Sequence, residues 1–306
     1  MKKVWIDTDC GVDDSLAIIL ALNCPNVEVL GISCIGGNTS VDNVTNNVLR
    51  TLAVYGKQDI PVYRGCEQGL IADPIHIPEI HGNDGLGDVD FASYGIKLTA
   101  KVQPTNAIFA IIDTFLHNDD ITLITIGPLT NIAIAIHVEP KIIDNIKNVF
   151  IMGGAEDMKG NTTKYAEFNF KCDPEAAHMV LKSIPNFKIT LITWTLSCKN
   201  IIKGNLLHEF FGQGCTIMER WIRDIWQVAI KHDSHSAIIA DPLTAFVACY
   251  GEKAIVDTVK MKFEIPLFGE KIAATVGKED PCGVTVVKAI DFEFLKEVFR
   301  RILKDH

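Results

Sequence analysis

Four carboxylates lie within eight residues near the start of the chain, a high density of negative charge for a single turn. They are Asp7, Asp9, Asp13 and Asp14. Residues 4–6 before them are typical of a β-strand, and the apolar residues 15–22 after them favour a helix packed on a sheet. The acids therefore fall in a strand-to-helix turn. In an open α/β sheet such a turn lies at the carboxyl ends of the strands, where ligands bind.

A cap for the helix explains one or two of these acids, because Asp at a helix start accepts free N–H groups and favours the positive end of the dipole. Four acids need a further explanation. Clustered carboxylates raise one another's pKa unless a cation or a shared proton relieves the repulsion. Hard oxygen ligands suit Ca²⁺ or Mg²⁺ better than a soft metal. We therefore predict a divalent-metal site rather than capping alone.

The composition is that of an ordinary globular protein, with 48% hydrophobic and 22% charged residues among 306. No linker divides the chain, so we predict a single domain over residues 1–306.

The net charge of −9 and the scattered basic residues argue against nucleic acid as a partner. No apolar run is long enough to predict a membrane span. Nine cysteines without a CxxC pair, and a start directly in a strand without a leader, predict a reduced, cytoplasmic protein.

Strand and helix patterns alternate along the chain, which predicts an α/β fold with a mostly parallel open sheet and helices on both faces. The strands predicted after the first lie at 27–35, 61–65, 121–126, 148–152 and 187–192. Residues 200–250 have a helical pattern, in which the spacing of Trp226 and Ala229 indicates core packing rather than a stacking platform for a base. A helix over 292–304 follows a small antiparallel extension near the C-terminus, with strands near 254–265, 271–277 and 283–288.

Two long polar segments, 66–102 and 156–171, have no clear periodicity. Irregular stretches of this length in a compact domain are usually functional loops or lids. The first contains several glycines around His81, which would let it move.

Eight motifs follow one another in a defined order: DTDCGVDD (7–14), GGN (36–38), HGNDGLG (81–87), IGPLTN (126–131), IMGGA (151–155), GNTTKYAEFN (160–169), CDPEAA (172–177) and ADPLTA (240–245). Together they span almost the whole chain, and this set resembles the inosine-uridine-preferring nucleoside hydrolase family. The resemblance implies an N-ribosyl hydrolase that cleaves ribonucleosides to free base and ribose, in nucleoside catabolism and salvage. It also implies a homodimer or homotetramer.

The resemblance further implies a Ca²⁺ ion, whose ligands by position are the carboxylates of Asp9, Asp14 and Asp241 and the backbone carbonyl of Ile126. The resemblance implies that Asp7 is not itself a metal ligand but orients the residues that are. Asp13 is implied to be the general base, which takes a proton from a calcium-bound water that attacks C1′ of the ribose. The positions implied to bind the substrate are Asn38, Met152, Asn161, Glu167 and Asn169.

The chain departs from the family pattern at Ala240, where many members carry a His that is a candidate acid for the leaving base. The remaining ionisable candidates are His81, His232 and His235. Each of these is also explained as a surface or structural histidine, and the alternative to an acid is a base that leaves with little help. Among the three we predict His81, because its loop could close over the base.

Two alternatives stay open at this point. Asp7 and Asp9 after a strand are also typical of phosphotransferases that use an aspartyl nucleophile with Mg²⁺, although no later strand end carries the paired acids and Lys of that class. Ala240 leaves open a nucleoside-binding protein that keeps the calcium site without turnover. Release of phosphate, or of free base and reducing sugar, would distinguish these alternatives.

Overall fold

One sheet of ten strands organises the computed structural model, which describes residues 1–212, 214–232 and 235–304. In chain order, its strands are β1 (Lys2–Thr8), β2 (Val27–Cys34), β3 (Val62–Arg64), β4 (Val102–Gln103), β5 (Ile121–Thr125), β6 (Ile146–Met152), β7 (Ile189–Ile192), β10 (Ile255–Glu264), β11 (Val276–Glu279) and β12 (Val284–Ile290). Two further strands, β8 (Ile202–Lys203) and β9 (Ser236–Ala237), form a separate antiparallel pair.

The order across the large sheet is β11-β10-β12-β7-β6-β5-β1-β2-β3-β4. Every neighbouring pair from β12 to β4 is parallel, and β10 is antiparallel to both β12 and β11. The mostly parallel sheet is confirmed. The antiparallel extension near the C-terminus is confirmed as well, and it forms one edge of this same sheet because β12 pairs in parallel with β7. The strand expected at 271–277 lies at Val276–Glu279.

Helices cover both faces of the sheet. They are α1 (Val12–Asn23), α2 (Val41–Tyr55), α3 (Pro78–His81), α4 (Ala107–Leu116), α5 (Thr130–Val138), α6 (Ile142–Asn145), α7 (Phe168–Cys172), α8 (Pro174–Ser183), α9 (Trp194–Lys199), α10 (Leu206–Phe211), α11 (Ile217–Ile225), α12 (Gln227–His232), α13 (Ala240–Tyr250) and α14 (Phe292–Lys304). One hydrophobic core packs α1, α2, α13 and α14 on the sheet, and a second core packs α4, α5 and α8 on the other face. Among the described residues, no helix is both long enough and apolar enough to cross a bilayer.

The prediction of a helical pattern over 200–250 was wrong in one respect, because the short strands β8 and β9 interrupt the helices. A strand of two residues is too short to show an alternating pattern, so the sequence carries no signal for this pair.

The arrangement around β1 positions the functional residues. From β1 the chain adds β2, β3 and β4 on one side and then returns to add β5, β6 and β7 on the other. Such a reversal of strand order leaves a crevice outside the carboxyl ends of the two central strands. Here those strands are β1 and β5, and the acidic turn at residues 7–14 lies at this crevice.

The segment 66–102 is largely irregular, as predicted, and contains α3, the 3₁₀ turn Phe91–Tyr94 and β4. Two contacts tie it to the helices beside it. Arg50 of α2 forms an ion pair with Asp84 at 3.0 Å, and the Tyr94 hydroxyl donates to Asp224 at 2.8 Å. Opening of this segment as a lid stays a prediction.

Candidate active site

The carboxyl ends of β1, β5 and β6 meet the first turns of α1 and α13 at one cavity. Asp9 follows β1, and Asp13 and Asp241 lie in the first turns of α1 and α13. Ile126 and Met152 line the same cavity from the ends of β5 and β6. Residues from opposite ends of the chain meet here because α1 packs against α13.

Asp14 is fully buried beside the cavity, and its neighbours satisfy both of its oxygens. Oδ1 accepts from Thr8 Oγ1 at 2.6 Å, and Oδ2 accepts from Gly11 N at 2.9 Å and Asn38 Nδ2 at 3.1 Å. The bond from Gly11 makes Asp14 part of the cap of α1. Capping therefore accounts for one acid of the cluster and leaves Asp9 and Asp13 unexplained.

Asp9 has one carboxylate oxygen that is buried and has no hydrogen-bond partner among the described residues. Its Oδ2 accepts from Asn38 N at 2.8 Å, whereas Oδ1 is unpaired. Gly37 permits this close approach, because a Cβ there would lie 2.2 Å from Asp9 Oδ2. A buried, unpaired carboxylate oxygen is unfavourable unless a proton or a cation satisfies it.

The donor set fits a divalent cation. Asp13, Asp14 and Asp241 each bring a carboxylate oxygen within 4.8 Å of the others. Burial, together with repulsion from neighbouring acids, raises the pKa of Asp13 to about 7 and the pKa of Asp241 well above its usual range. Burial also raises the pKa of Asp14 and, with repulsion from Asp14, that of Asp9. Such a cluster binds protons or a hard cation.

This trio overlaps the predicted ligand set without being identical to it. Asp14 and Asp241 belong to both. Asp13, which we predicted as the base, lies inside the trio, and the predicted ligand Asp9 lies outside it. The ligand set stays a prediction.

Asp7 lies on β1 and does not line the cavity. Its Oδ1 accepts from Ser33 Oγ and from Asn131 Nδ2, the latter at 2.9 Å, while Oδ2 is buried and unpaired. Burial raises its pKa to about 7. A supporting role behind the cavity is compatible with this position and stays a prediction.

Glu167 is held rigidly at the start of α7. Its carboxylate accepts from the backbone N–H groups of Gly154 at 2.9 Å, Asn169 at 2.8 Å and Phe170 at 3.2 Å. Burial nevertheless raises its pKa to about 7. The local sequence produces this geometry, because an acid preceding a short helix caps its free N–H groups.

Asn169 connects two strand ends. Its Nδ2 donates to the backbone carbonyl of Met152 at 3.2 Å and to that of Ile126 at 3.4 Å. Asn161 lies at the exposed edge of the cavity, where its Oδ1 accepts from Thr162 Oγ1 at 3.2 Å. The structure thus brings all five predicted substrate-binding residues to one cavity: Asn38, Met152, Asn161, Glu167 and Asn169.

Comparison with known proteins identifies the family. The family model described as inosine-uridine preferring nucleoside hydrolase matches residues 4–297. The chain belongs to this family. The inosine-uridine preferring nucleoside hydrolase of Crithidia fasciculata is 31% identical to this hydrolase over 305 residues, covering 95% of this chain and 94% of the relative.

Solved structures agree with this assignment. A plant nucleoside hydrolase superimposes with a TM-score of 0.88 at 26% identity, covering 100% of this chain and 99% of the other. A purine-preferring ribonucleoside hydrolase from Gardnerella vaginalis superimposes with a TM-score of 0.87 at 28% identity, covering 98% of each chain. The chain is therefore an N-ribosyl hydrolase, and the phosphotransferase alternative is excluded.

In this hydrolase His81 lines the cavity and is 5% exposed. Its Nδ1 lies 3.1 Å from Val12 N, from which it accepts, and this assigns the ring proton to Nε2. Burial lowers its pKa to about 3. A neutral imidazole of this kind can donate a hydrogen bond from Nε2 to the leaving base, but it does not carry the second proton of an imidazolium. His232 and His235 are exposed and do not line the cavity.

The rest of the cavity is apolar. Its apolar lining residues are Val12, Ile77, Ile80, Phe168, Trp194, Trp226, Ala229, Ile238 and Ala240. Sequence analysis placed Trp226 and Ala229 in the core, and they are indeed buried, but they line the hydrolase cavity as well. Sequence analysis did not identify Ile77, Ile80 and Trp194 as residues of the cavity. Segment 66–102 contains many other apolar residues, so the sequence does not distinguish Ile77 and Ile80 from them.

Proposed function

We propose that the hydrolase cleaves the N-glycosidic bond of ribonucleosides with Asp13 as the general base and with Ca²⁺ as cofactor. The observation that supports this best is a group of carboxylates at one cavity, the trio Asp13, Asp14 and Asp241 together with the unpaired Oδ1 of Asp9, beside polar groups suited to a ribose. The ligands of Ca²⁺ would be Asp9, Asp14, Asp241 and the carbonyl of Ile126. When bound, Ca²⁺ would lower the pKa of a water and hold the 2′- and 3′-hydroxyls of the substrate.

The protein's own groups supply the rest of the reaction. Asp13 accepts a proton from the attacking water, whose oxygen forms the new bond to C1′ as the bond from C1′ to the base breaks. A pKa near 7 suits this role, because a base works best when its pKa is close to the operating pH. Positive charge develops on the ribose during this step, as in other glycoside hydrolyses, and the surrounding carboxylates stabilise it.

Asp9 is the rival candidate for the base, because its unpaired Oδ1 is buried at the same cavity. A general base and a calcium ligand respond differently to substitution by an amide. A base can be replaced by an amide without loss of the cation, whereas a ligand cannot lose its charge without weakening cation binding.

The deciding experiment measures release of free base and ribose from uridine and inosine, together with calcium content by elemental analysis. We expect Asp13→Asn to keep its calcium and to lose roughly 10²- to 10⁴-fold in turnover, the usual contribution of a positioned base. Asp9→Asn should lose calcium. Asp119→Asn, at an exposed acid outside the cavity, is the matched control and should change neither quantity.

Other outcomes reassign the roles. If Asp13→Asn retains turnover while Asp9→Asn keeps calcium and loses turnover, the base is Asp9. If active wild-type protein contains no divalent ion, the cofactor proposal is wrong. If calcium-loaded protein binds a nucleoside but releases no base, the chain is a binding protein, the alternative that Ala240 motivates.

We further propose a homodimer or homotetramer that acts in the cytoplasm. Several large apolar side chains are more than half exposed, among them Phe109 at 63%, Phe187 at 73% and Phe268 at 86%. Burial of such groups between copies would stabilise an oligomer. Each of the nine cysteines is free, which suits a reducing compartment. Light scattering on purified protein tests the assembly, and a monomeric mass would contradict it.

A further inference from the structure

One face of α2 contacts the turn of residues 81–87, which contains His81. Asn47 and Arg50 lie three residues apart on α2, so their side chains project from the same face. Nδ2 of Asn47 donates to the backbone carbonyl of Asp84 at 2.8 Å, and the guanidinium of Arg50 pairs with the Asp84 carboxylate at 3.0 Å. The middle of the turn is therefore held at two points by α2.

Hydrogen bonds within this turn make it a compact unit. The backbone N–H of Gly87 donates to the carbonyl of His81 at 2.7 Å, and Oδ1 of Asp84 accepts from the backbone N–H of Leu86 at 2.7 Å. Leu86 is 1% exposed and belongs to the hydrophobic core. Because the turn is closed on itself, a displacement of Asp84 also displaces His81.

The same amide of Asn47 contacts the acidic turn at the end of β1. Its Nδ2 also donates to the backbone carbonyl of Cys10 at 3.1 Å, and Cys10 directly follows Asp9. Asn47 is fully buried, and its Oδ1 is buried without a hydrogen-bond partner among the described residues. An unpaired buried amide oxygen is unfavourable, and an apolar side chain would avoid this cost. The contribution of an amide at this position is therefore the pair of bonds that joins the two turns.

His81 contacts the acidic turn on the side of the cavity. Its Nδ1 accepts from Val12 N at 3.1 Å, and a Cβ at Gly11 would lie 2.4 Å from this nitrogen. The ring therefore packs directly against the backbone of the acidic turn. His81 lines the cavity, whereas Asn47 does not. Two bridges thus join the turns, one through the imidazole ring and one through an amide outside the cavity.

We propose that Asn47 and Arg50 are positioning residues, which hold the turn of His81 against the acidic turn and thereby aim its Nε2–H group at the leaving base. This inference rests on the proposed role of His81 as a donor to that base. Hydrogen bonds weaken steeply when donor and acceptor are misaligned, and a misplacement of about 1 Å can cost about 10²-fold in rate. Since Asn47 lies outside the cavity and donates to two backbone carbonyls, we expect its effect on turnover to pass through His81.

The test measures kcat/KM for uridine, inosine and p-nitrophenyl riboside in wild type, Asn47→Ala, His81→Ala and the double variant. Asn47→Ala should lose at least about tenfold on the two natural nucleosides, whose bases need a donor. It should lose much less on p-nitrophenyl riboside, whose leaving group departs without one. The double variant should lose no more than His81→Ala alone, because a donor that is absent cannot be misdirected.

Arg50→Met provides a second variant at a safer position. It removes the ion pair with Asp84, whose two side chains are 30% and 28% exposed, so the buried packing stays intact. The same selective loss on the natural nucleosides should appear, with a smaller size. Asn145→Ala is the matched control, since Asn145 Nδ2 also donates to a backbone carbonyl, that of Phe115 at 2.7 Å, and lies outside the cavity. It should leave the ratio of the three kcat/KM values unchanged, even if it lowers Tm.

Equal losses on all three substrates in Asn47→Ala would overturn the proposal, because a general structural defect does not depend on the leaving group. Losses that add in the double variant would overturn it as well, since Asn47 would then act through another group. If Asn47→Ala does not fold, Arg50→Met decides: a loss confined to the natural nucleosides supports the proposal, and an equal or absent loss overturns it. Equal losses in His81→Ala itself would instead refute the proposed role of His81, and this inference with it.

Discussion

The cavity has two regions of opposite character: a polar floor of Asp9, Asp13, Asn38, Glu167, Asn169 and Asp241, and an apolar wall of Ile77, Ile80, Trp194, Trp226 and Ile238. The floor is built at strand ends and helix starts, where backbone N–H groups fix the carboxylates of Asp9 and Glu167. The wall comes from loops and from the ends of short helices. The polar floor recognises its ligand through hydrogen bonds, which depend on direction. The apolar wall recognises its ligand through shape and buried area.

The largest expected effect concerns the floor. Removal of the 2′-hydroxyl should reduce kcat/KM by roughly 10⁴-fold, because a site that hydrogen-bonds a hydroxyl leaves buried polar groups unpaired when that hydroxyl is missing. The measurement compares uridine with 2′-deoxyuridine. Ile80→Ala, in the wall, is the matched control and should leave this ratio unchanged. Equal kcat/KM for the two substrates would refute a floor that binds ribose.

His81 is the polar group that joins the two regions, and its substitution should have the next largest effect. His81→Ala removes a donor to the leaving base, so turnover of uridine and inosine should fall by roughly 10²-fold. p-Nitrophenyl riboside needs no such help, and its turnover should fall much less. His232→Ala, at an exposed histidine outside the cavity, is the control.

The ionisation of His81 gives a second readout. Its pKa of about 3 means that the ring stays neutral from pH 5 to 8, so the effect of His81→Ala should be the same across this range. Equal losses on the natural and activated substrates would show that His81 does not assist the leaving base.

The wall should contribute less, and in a way that depends on the base. Ile80→Ala shortens one partly buried apolar side chain, so KM should rise about tenfold for the nucleoside whose base packs on it, with a smaller change in kcat. Ile71→Ala, in the same loop but 76% exposed, is the matched control. The ratio of the KM changes for inosine and uridine then shows which base the wall prefers. An unchanged KM for both would place the base elsewhere.

The difference between floor and wall also explains what the sequence could predict. Asp9 was identified from a local signal, because it follows a strand in a turn crowded with acids, whereas Asp241 and Glu167 were assigned through the resemblance of their motifs to the family. Ile77, Ile80 and Trp194 were missed because α3 and α9, which contain or directly follow them, are too short to show a periodic pattern. The neutral state of His81 depends on its burial and on its contact with Val12, which only the tertiary structure shows. The parallel pairing of β12 with β7 joins segments far apart in the chain and follows from no local pattern.

The last expected effect is on stability rather than on turnover, and it tests whether the floor needs a cation. Burial raises the pKa of Asp7, Asp13 and Glu167 to about 7 in the folded protein, above the values of about 4 expected when unfolded. Between these values the folded state binds more protons than the unfolded state. The free energy of unfolding of calcium-free protein therefore decreases as pH rises through this window, by at most about 1.4 kcal/mol per pH unit for each group, and levels off above pH 7.

Calcium should reverse this trend, because it binds the ionised carboxylates in place of protons. Tm measured at pH 5, 6, 7 and 8, with a chelator or with added Ca²⁺, should show a calcium stabilisation that increases with pH. Glu167→Gln removes one group with a raised pKa that is not a proposed calcium ligand. This variant should make the Tm of calcium-free protein depend less on pH, and it should keep the rise in Tm that Ca²⁺ causes. Two results would contradict this prediction: a Tm of calcium-free protein that rises from pH 5 to 8, or a rise in Tm with Ca²⁺ that is the same at every pH. Either would show that other groups of the protein already stabilise the ionised carboxylates.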